Sequence, residues 1–377
     1  MSNNASSDFR WLRTSEDALA SMVAAIESAE ESVRLEMYIY TASPVGEQFR
    51  DALVRAQQRG VRVRVLIDAL GSMKLRASFW EPLIAAGGEC GWFNPLHLKR
   101  LLYRDHRKIL VCDERLAFVG GYNIAPEYQG DGVAKGWRDL GLEVSGPLAQ
   151  HLAASFDAQF ARADFQHRRF SYLRKSALRV GFTTPDGELF LSGPGRGVNP
   201  MHRALLSDLA QAKDIKIISA YFLPTWRFRR ALMRRACQGA PVQLILAGRS
   251  DVPLSKLAGQ HLYRGLLRSG IEIYEYQPQI LHSKLFILDD IVYVGSANFD
   301  TRSLHINYEL LIRLTKTQLA DEARAIFAED LKHSRRIHLA TWQASRTFWR
   351  NLKERWAYFI LARVDPYLAR RQWRALR

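Results

Sequence analysis

At 377 residues the chain suits two domains of ordinary size, each able to bury its own core. Its 54 Lys and Arg against 38 Asp and Glu leave a net charge of +16, which favours an anionic partner, either nucleic acid or an acidic lipid surface. Cys90, Cys112 and Cys237 form an odd set with neither a C-x-x-C nor a metal-ligand spacing, so free thiols in a reducing compartment are expected rather than a disulfide framework or cysteine metal site.

Met1 to Asp8 are polar and carry no secretory signal, and no run of about 18 apolar residues follows, so no spanning helix is expected. Ala18 to Tyr40 read as a helix (Met22, Ile26) leading into a strand that carries Tyr38. Ala52-Leu53, Arg55 and Gly60 then lead into a second strand, Val61 to Ile67. Leu96, Leu98, Leu101, Leu102 and Tyr103 alternate with Lys99, Arg100 and Arg104, a candidate lipid-facing segment.

His106-Arg107-Lys108 opens an apolar strand, Ile109 to Val111, that turns at Asp113-Glu114 and returns as Leu116 to Val119. Histidine and lysine two apart on a strand share a face, so both can reach one anion. Gly120-Gly121-Tyr122 then lead to Asn123, glycine there letting the backbone approach a ligand closely. Asp139 opens a further apolar strand through Leu140, Leu142 and Val144.

A basic stretch around His167-Arg168-Arg169 and a turn-rich connector at Thr183-Thr184-Pro185-Asp186-Gly187 lead to a second half that repeats the first. Gly193-Pro194-Gly195-Arg196-Gly197 has the spacing of a domain-entry turn rather than of a nucleotide loop. Met201 to Leu223 match Ala18 to Tyr40 without a gap, pairing Tyr221 with Tyr38, and Ala231 to Leu246 match the next helix and strand. His282-Ser283-Lys284, Asp289 and Asn298 follow their counterparts by 176 residues for histidine, lysine and aspartate, and by 175 for asparagine. One H-x-K is nearly worthless as a motif, whereas four matched polar identities in matched surroundings mark two halves of one active site. Glu309 opens an apolar strand (Leu310, Ile312, Leu314) as Asp139 does, adding one acid to each half.

The expected organisation is α/β: two pseudo-symmetric domains, each a mixed sheet flanked by helices, spanning residues 1–175 and 176–335, with a basic tail at 336–377. In the tail Phe348, Trp349, Leu352, Trp356, Phe359 and Ile360 recur at helical spacing among Arg346, Arg350, Lys353 and Arg355. The charge continues through Arg363, Arg370, Arg371 and Arg377. Such a helix either docks on the protein or lies in a membrane interface; Trp349, Leu352, Trp356 and Phe359 with Arg350 and Lys353 are the membrane-binding candidates.

Both copies resemble the phospholipase D superfamily, whose signature is H-x-K-x4-D followed by a G-S-x-N-type turn, and the resemblance runs from about Ala18 to about Leu314. Gly121 stands where the second copy has Ser296, so the hydroxyl that this signature would set against phosphate is present in the second half alone. His106 to Ile109, Phe118 to Asn123, Trp137 to Leu140 and Gly146-Pro147 are similar to bacterial cardiolipin synthases without transmembrane helices. That resemblance implies one site where the two domains meet, no metal and no cofactor.

A phosphodiester repels nucleophiles, so its charge must be neutralised and its leaving oxygen protonated. Lys108 and Lys284 suit the first task, with Asn123 and Asn298 as neutral donors. One imidazole can attack phosphorus while the other protonates the alkoxide. Asp139 and Glu309 are candidates for orienting the two rings, and Asp113 and Asp289, at the hairpin turns, for holding backbone or a basic neighbour. Pseudo-symmetry leaves the two histidine roles open; the resemblance implies His106 as nucleophile and His282 as acid and base. It also implies a peripheral phosphatidyltransferase on the cytoplasmic face of the bacterial inner membrane, acting on phospholipids in an anionic bilayer with phosphatidylglycerol as acceptor. A hydrolytic phospholipase D shares the intermediate. A nuclease fits the charge, but two fused motifs and the amphipathic tail argue against nucleic acid as substrate.

Overall fold

The computed structural model describes residues 6–95, 103–163, 181–194, 199–300, 302–303 and 306–368. The candidate lipid-facing residues Leu96 to Leu102, the stretch around His167, most of the Gly193 to Gly197 turn and the end of the tail lie outside them. Among the described residues no helix is long and apolar enough to cross a membrane.

The first half supplies Asp8–Leu12 (β1), Ser32–Met37 (β2), Arg62–Asp68 (β3), Glu89–Phe93 (β4), Ile109–Cys112 (β5), Leu116–Gly120 (β6) and Gly141–Ser145 (β7). They form one sheet in the order β1-β7-β6-β5-β2-β3-β4. The second half supplies Gly181–Thr184 (β8), Gly187–Ser192 (β9), Ile215–Ser219 (β10), Phe222–Leu223 (β11), Val242–Ala247 (β12), Glu272–Tyr276 (β13), Lys284–Leu288 (β14), Ile291–Gly295 (β15), Phe299–Asp300 (β16), Glu309–Leu314 (β17) and Ser334–Ile337 (β18). Its main sheet runs β8-β9-β17-β15-β14-β10-β12-β13-β18, with β11 and β16 paired separately. Without the two edge strands β8 and β18, that order is the first sheet's order repeated. The sheets are mixed: β2 pairs parallel with β3 and antiparallel with β5, as β10 does with β12 and β14.

The one-residue fall in repeat spacing, from 176 to 175, has a location. The β5–β6 hairpin turns through three residues, Asp113, Glu114 and Arg115, whereas β14–β15 turns through Asp289 and Asp290. Both turns hold their aspartate at φ 54, a left-handed conformation that Asp tolerates better than branched residues do. β18 pairs antiparallel with β13, so the second sheet runs to Ile337, across the expected domain boundary at 335.

Capping residues start the corresponding helices. Thr14 accepts from Asp17 N at the head of Ser15–Ser28, and Asn199 accepts from His202 N at the head of Pro200–Gln211. One apolar cluster draws on both sheets, with Ile109, Val119 and Leu142 from the first and Leu285, Val294 and Leu310 from the second. The helices Pro147–Phe160 and Thr317–Lys332 pack into it through Leu148, Leu152, Leu319 and Phe327. The halves therefore share a core rather than touching at their rims. The buried ion pair Arg138–Asp330, 2.6 Å, crosses the same boundary. Removing either partner would leave a buried charge unpaired, a cost of about 3–5 kcal/mol.

Candidate active site

Each H-x-K motif begins where its chain leaves the other half. Tyr308 N donates to Arg104 O at 2.9 Å and His106 N to Tyr308 O at 3.0 Å, while Arg138 N donates to Ile280 O at 2.8 Å and His282 N to Arg138 O at 2.7 Å. Tyr308 and Arg138 immediately precede Glu309 and Asp139. These short bridges therefore carry each acid to the histidine of the opposite half. His106 Nδ1 lies 3.1 Å from Glu309 and His282 Nδ1 lies 2.7 Å from Asp139. With Nδ1–H donating to carboxylate, each Nε2 is left for chemistry.

His106, His282, Asn123 and Asn298 line one cavity of about 360 Å³. Tyr38 and Tyr221, pseudo-equivalent in sequence, also line it; Tyr38 stands edge-on to His106 at 4.7 Å and Tyr221 edge-on to His282 at 6.2 Å. Lys108 and Lys284 lie behind the histidines. Lys108 donates to His106 O at 2.6 Å and sits 5.0 Å from the Tyr38 ring centre, while Lys284 Nζ lies 2.7 Å from His282 Nδ1 and 3.2 Å from its Nε2. Asn123 accepts from Ile39 N at 3.0 Å and donates to Tyr128 Oη at 2.8 Å, so one of its two N–H bonds is already used. Asp113 accepts from the backbone of Glu30, Glu31 and Ser32, and Asp289 from Lys213 and Asp214, which places both at hairpin turns away from the cavity.

The difference between Gly121 and Ser296 is one of support for the acids. Ser296 Oγ donates to Glu309 at 2.5 Å, and Ser296 is not among the cavity-lining residues. The signature's expected hydroxyl contact to phosphate is thus replaced by a contact that holds the acid. At 121 a Cβ would lie 2.4 Å from Asp139 Oδ1, so only glycine leaves room for that carboxylate, whose Oδ1 accepts from Leu140 N at 2.8 Å.

Burial dominates the electrostatics. It pulls Lys108 down to about 7 and Lys284 to about 8, and pushes Glu309 up to about 8 against the opposing charge of Lys108. His106 is held well below the ordinary imidazole value by burial and then by Lys108 and Lys284. His282 is also lowered, by burial and Lys284, with Asp139 pulling the other way. Both lysines would bind their protons more tightly beside a phosphoryl anion.

Further neighbours surround the site, Trp137 and Arg107 among them from the stretches that resemble cardiolipin synthases. Tyr128 and Trp137 flank His282 with ring centres 5.6 Å away. Arg107, the variable residue of the first H-x-K, is buried and bidentate to Glu36 at 2.6 and 2.8 Å, an anchor behind the site. Asp251, Asp300, Arg302, Ser303 and Asn307 also line the cavity, from segments whose apposition no periodicity announces.

The tail helix Phe348–Phe359 packs on Pro253–Arg268, burying Glu354 and Ala357, and Ala357 shares a cluster with Leu223 and Ala258. Its other face leaves Trp349 70% and Trp356 57% exposed, with Phe348, Phe359, Arg350 and Lys353 also outward and Leu352 partly covered. Beyond it, Leu361 and Asp365 line the cavity, and Asp365 pairs with Arg302 at 2.6 Å. Of the two placements open from the sequence, the helix thus docks on the protein, with its aromatic face left outward.

A family model described as cardiolipin synthase, PLD-like domain, matches residues 22–162 and 205–331. Cardiolipin synthase 1 of Bacillus anthracis is 31% identical over 376 residues, covering 95% of this chain and 72% of that protein. A cardiolipin synthase of Alkalihalophilus pseudofirmus is 33% identical over 360 residues, covering 93% and 71%. The crystal structure of a phosphatidylserine synthase from Haemophilus influenzae Rd KW20 superposes with a TM-score of 0.73 at 15% identity, covering 96% of this chain and 94% of that one, a likeness of fold.

Proposed function

The chain belongs to the cardiolipin synthase, phospholipase D-like family, and we propose on that footing how its residues move a phosphatidyl group from one phospholipid to the hydroxyl of phosphatidylglycerol. The observation that carries the mechanism is the crossed pairing of His106 with Glu309 and His282 with Asp139 around one cavity. In the first step His106 Nε2 attacks phosphorus, the bond from phosphorus to the headgroup oxygen breaks, and His282 Nε2–H protonates the departing alkoxide. In the second, His282 takes the proton of the incoming hydroxyl, whose oxygen attacks phosphorus as the phosphorus–nitrogen bond breaks. Lys108, Lys284 and the amide of Asn298 supply positive charge and donors as charge builds on the phosphoryl oxygens.

The division of labour follows the environments. Burial and the two lysines lower both imidazoles, His106 further than His282, so His106 is the ring held more firmly in the neutral form a nucleophile needs, and the Asp139 carboxylate partly offsets that lowering at His282. For the lipid surface, the exposed Trp349, Trp356 and Phe359 with Arg350 and Lys353 suit the interface of an anionic bilayer, on the cytoplasmic face of the bacterial inner membrane. Leu361 in the cavity wall follows directly on this ridge, and exposed Val252 also lines the cavity. A lipid held at the ridge thus lies close to the reacting groups.

Mass spectrometry of products from phosphatidylglycerol vesicles, run beside a DNA cleavage assay, tests the reading. Cardiolipin as the main product supports it; phosphatidic acid alone would make the enzyme a hydrolase, and cleaved DNA without lipid products would overturn it.

A further inference from the structure

The repeat is broken at one charged position beside the catalytic groups. Arg104 stands two residues before His106 on the extended segment that pairs with Tyr308, so it faces the same way, and it lines the same cavity. Its counterpart in the second half, two residues before His282, is Ile280. A task shared by both halves would not need a cation in one and an aliphatic side chain in the other.

Arg104 is only 3% exposed, yet among the described residues nothing accepts from any of its three guanidinium nitrogens. Five buried N–H donors without an acceptor are costly, and a guanidinium fork matches the oxygens of a phosphate. The nearby carboxylates take their hydrogen bonds from other groups, although the charge of Asp68 acts on Arg104 from a distance. Asp68 accepts from Leu70, Gly71 and Asp105 N–H groups, Asp251 from Tyr221 Oη, Asp300 from Ser303 N, and Asp365 pairs with Arg302. Arg302 lines the same cavity with its charge shared by Asp365, which leaves Arg104 as the guanidinium without an acceptor there among the described residues.

We propose that Arg104 forms a second anion subsite in the cavity that takes the phosphate of the accepting phospholipid. This rests on the phosphatidyl-transfer reading above. Transfer to water or to a simple alcohol brings one phosphate into the site, and the two H-x-K motifs serve it. Transfer to phosphatidylglycerol brings a second phosphate, whose charge needs its own partner inside a buried cavity. Arg104 is thus a specificity-determining residue, favouring an anionic lipid over water as acceptor.

The test measures three products in one tube. Phosphatidylglycerol micelles containing ethanol give cardiolipin, phosphatidylethanol and phosphatidic acid from the same covalent intermediate, so their ratio reports the acceptor step and not donor binding. In Arg104→Gln the ratio of cardiolipin to phosphatidylethanol should fall about tenfold or more. An unchanged ratio, with or without a drop in total product, would overturn the subsite. If Arg104→Gln does not fold, inorganic phosphate added to the wild-type enzyme decides: it should depress cardiolipin more than phosphatidylethanol, and equal depression counts against the proposal. Wild-type enzyme that makes none of the three products contradicts the transferase reading instead.

Discussion

Asp139, from the first half of the chain, accepts a hydrogen bond from His282 of the second half at 2.7 Å. Glu309 mirrors it by holding His106. Neither half contains a complete histidine–acid pair, so neither repeat alone can present an oriented imidazole to phosphorus.

Asp139→Asn should keep the shape of that contact and lose its charge and its control of the tautomer. Activity should fall by about 10²- to 10⁴-fold with little change in thermal midpoint. Glu309→Gln should cost less, because its contact is longer and Ser296 still holds the side chain. Steady-state turnover on phosphatidylglycerol micelles checks both, and activity near wild type in Asp139→Asn would contradict the orienting role.

Gly121→Ala puts a methyl 2.4 Å from Asp139 Oδ1. It should displace the carboxylate and lower activity as Asp139→Asn does. Combining the two should add little, because both remove the same support from His282. Multiplying losses in the double variant would show that Gly121 matters for another reason.

The lysines give a signed dependence on pH. Burial lowers Lys108 to about 7 and Lys284 to about 8, so at about pH 8.5 both are largely neutral until an anion raises them. Binding of tungstate at that pH should therefore take up protons, seen as a buffer-dependent enthalpy in calorimetry. Lys108→Met should take up fewer protons. Proton release on tungstate binding would contradict the assignment.

The tail calls for point substitutions, since truncation would also remove Leu361 and Asp365 from the cavity wall. Trp349→Ala with Trp356→Ala should weaken binding to anionic vesicles while sparing turnover on a short-chain monomeric phosphodiester far more. Salt should weaken the wild-type protein only in part, because the aromatic contribution is not screened. Equal losses on both substrates would make the helix a strut.

Much of this was legible in the sequence because the molecule says it twice. The 176-residue spacing of His106 and Lys108 from His282 and Lys284 exposes both motifs, and Asp139 and Glu309 stand out at matching strand starts. What one chain cannot display is which strand start meets which histidine, since the crossing is made by bridges between Tyr308 and Asp105 and between Arg138 and Leu281. Arg104 was hidden differently. In the sequence it falls with Lys99 and Arg100 in a basic segment, although alternation from His106 places it on the catalytic face. The serine at 296 misled because a hydroxyl beside a motif suggests phosphate, whereas burial beside Glu309 makes it a support for the acid.

The most direct measurement of the shared site is a trapped intermediate. Enzyme mixed briefly with phosphatidylglycerol, denatured under alkaline conditions that preserve phosphohistidine and digested for mass spectrometry, should carry one phosphatidyl group on His106. The adduct should be absent in His106→Ala and should form more slowly in Asp139→Asn, because His282 serves as acid in the first step and as base in the second. No adduct on either histidine, or near-normal turnover in His106→Ala or His282→Ala, would contradict the account.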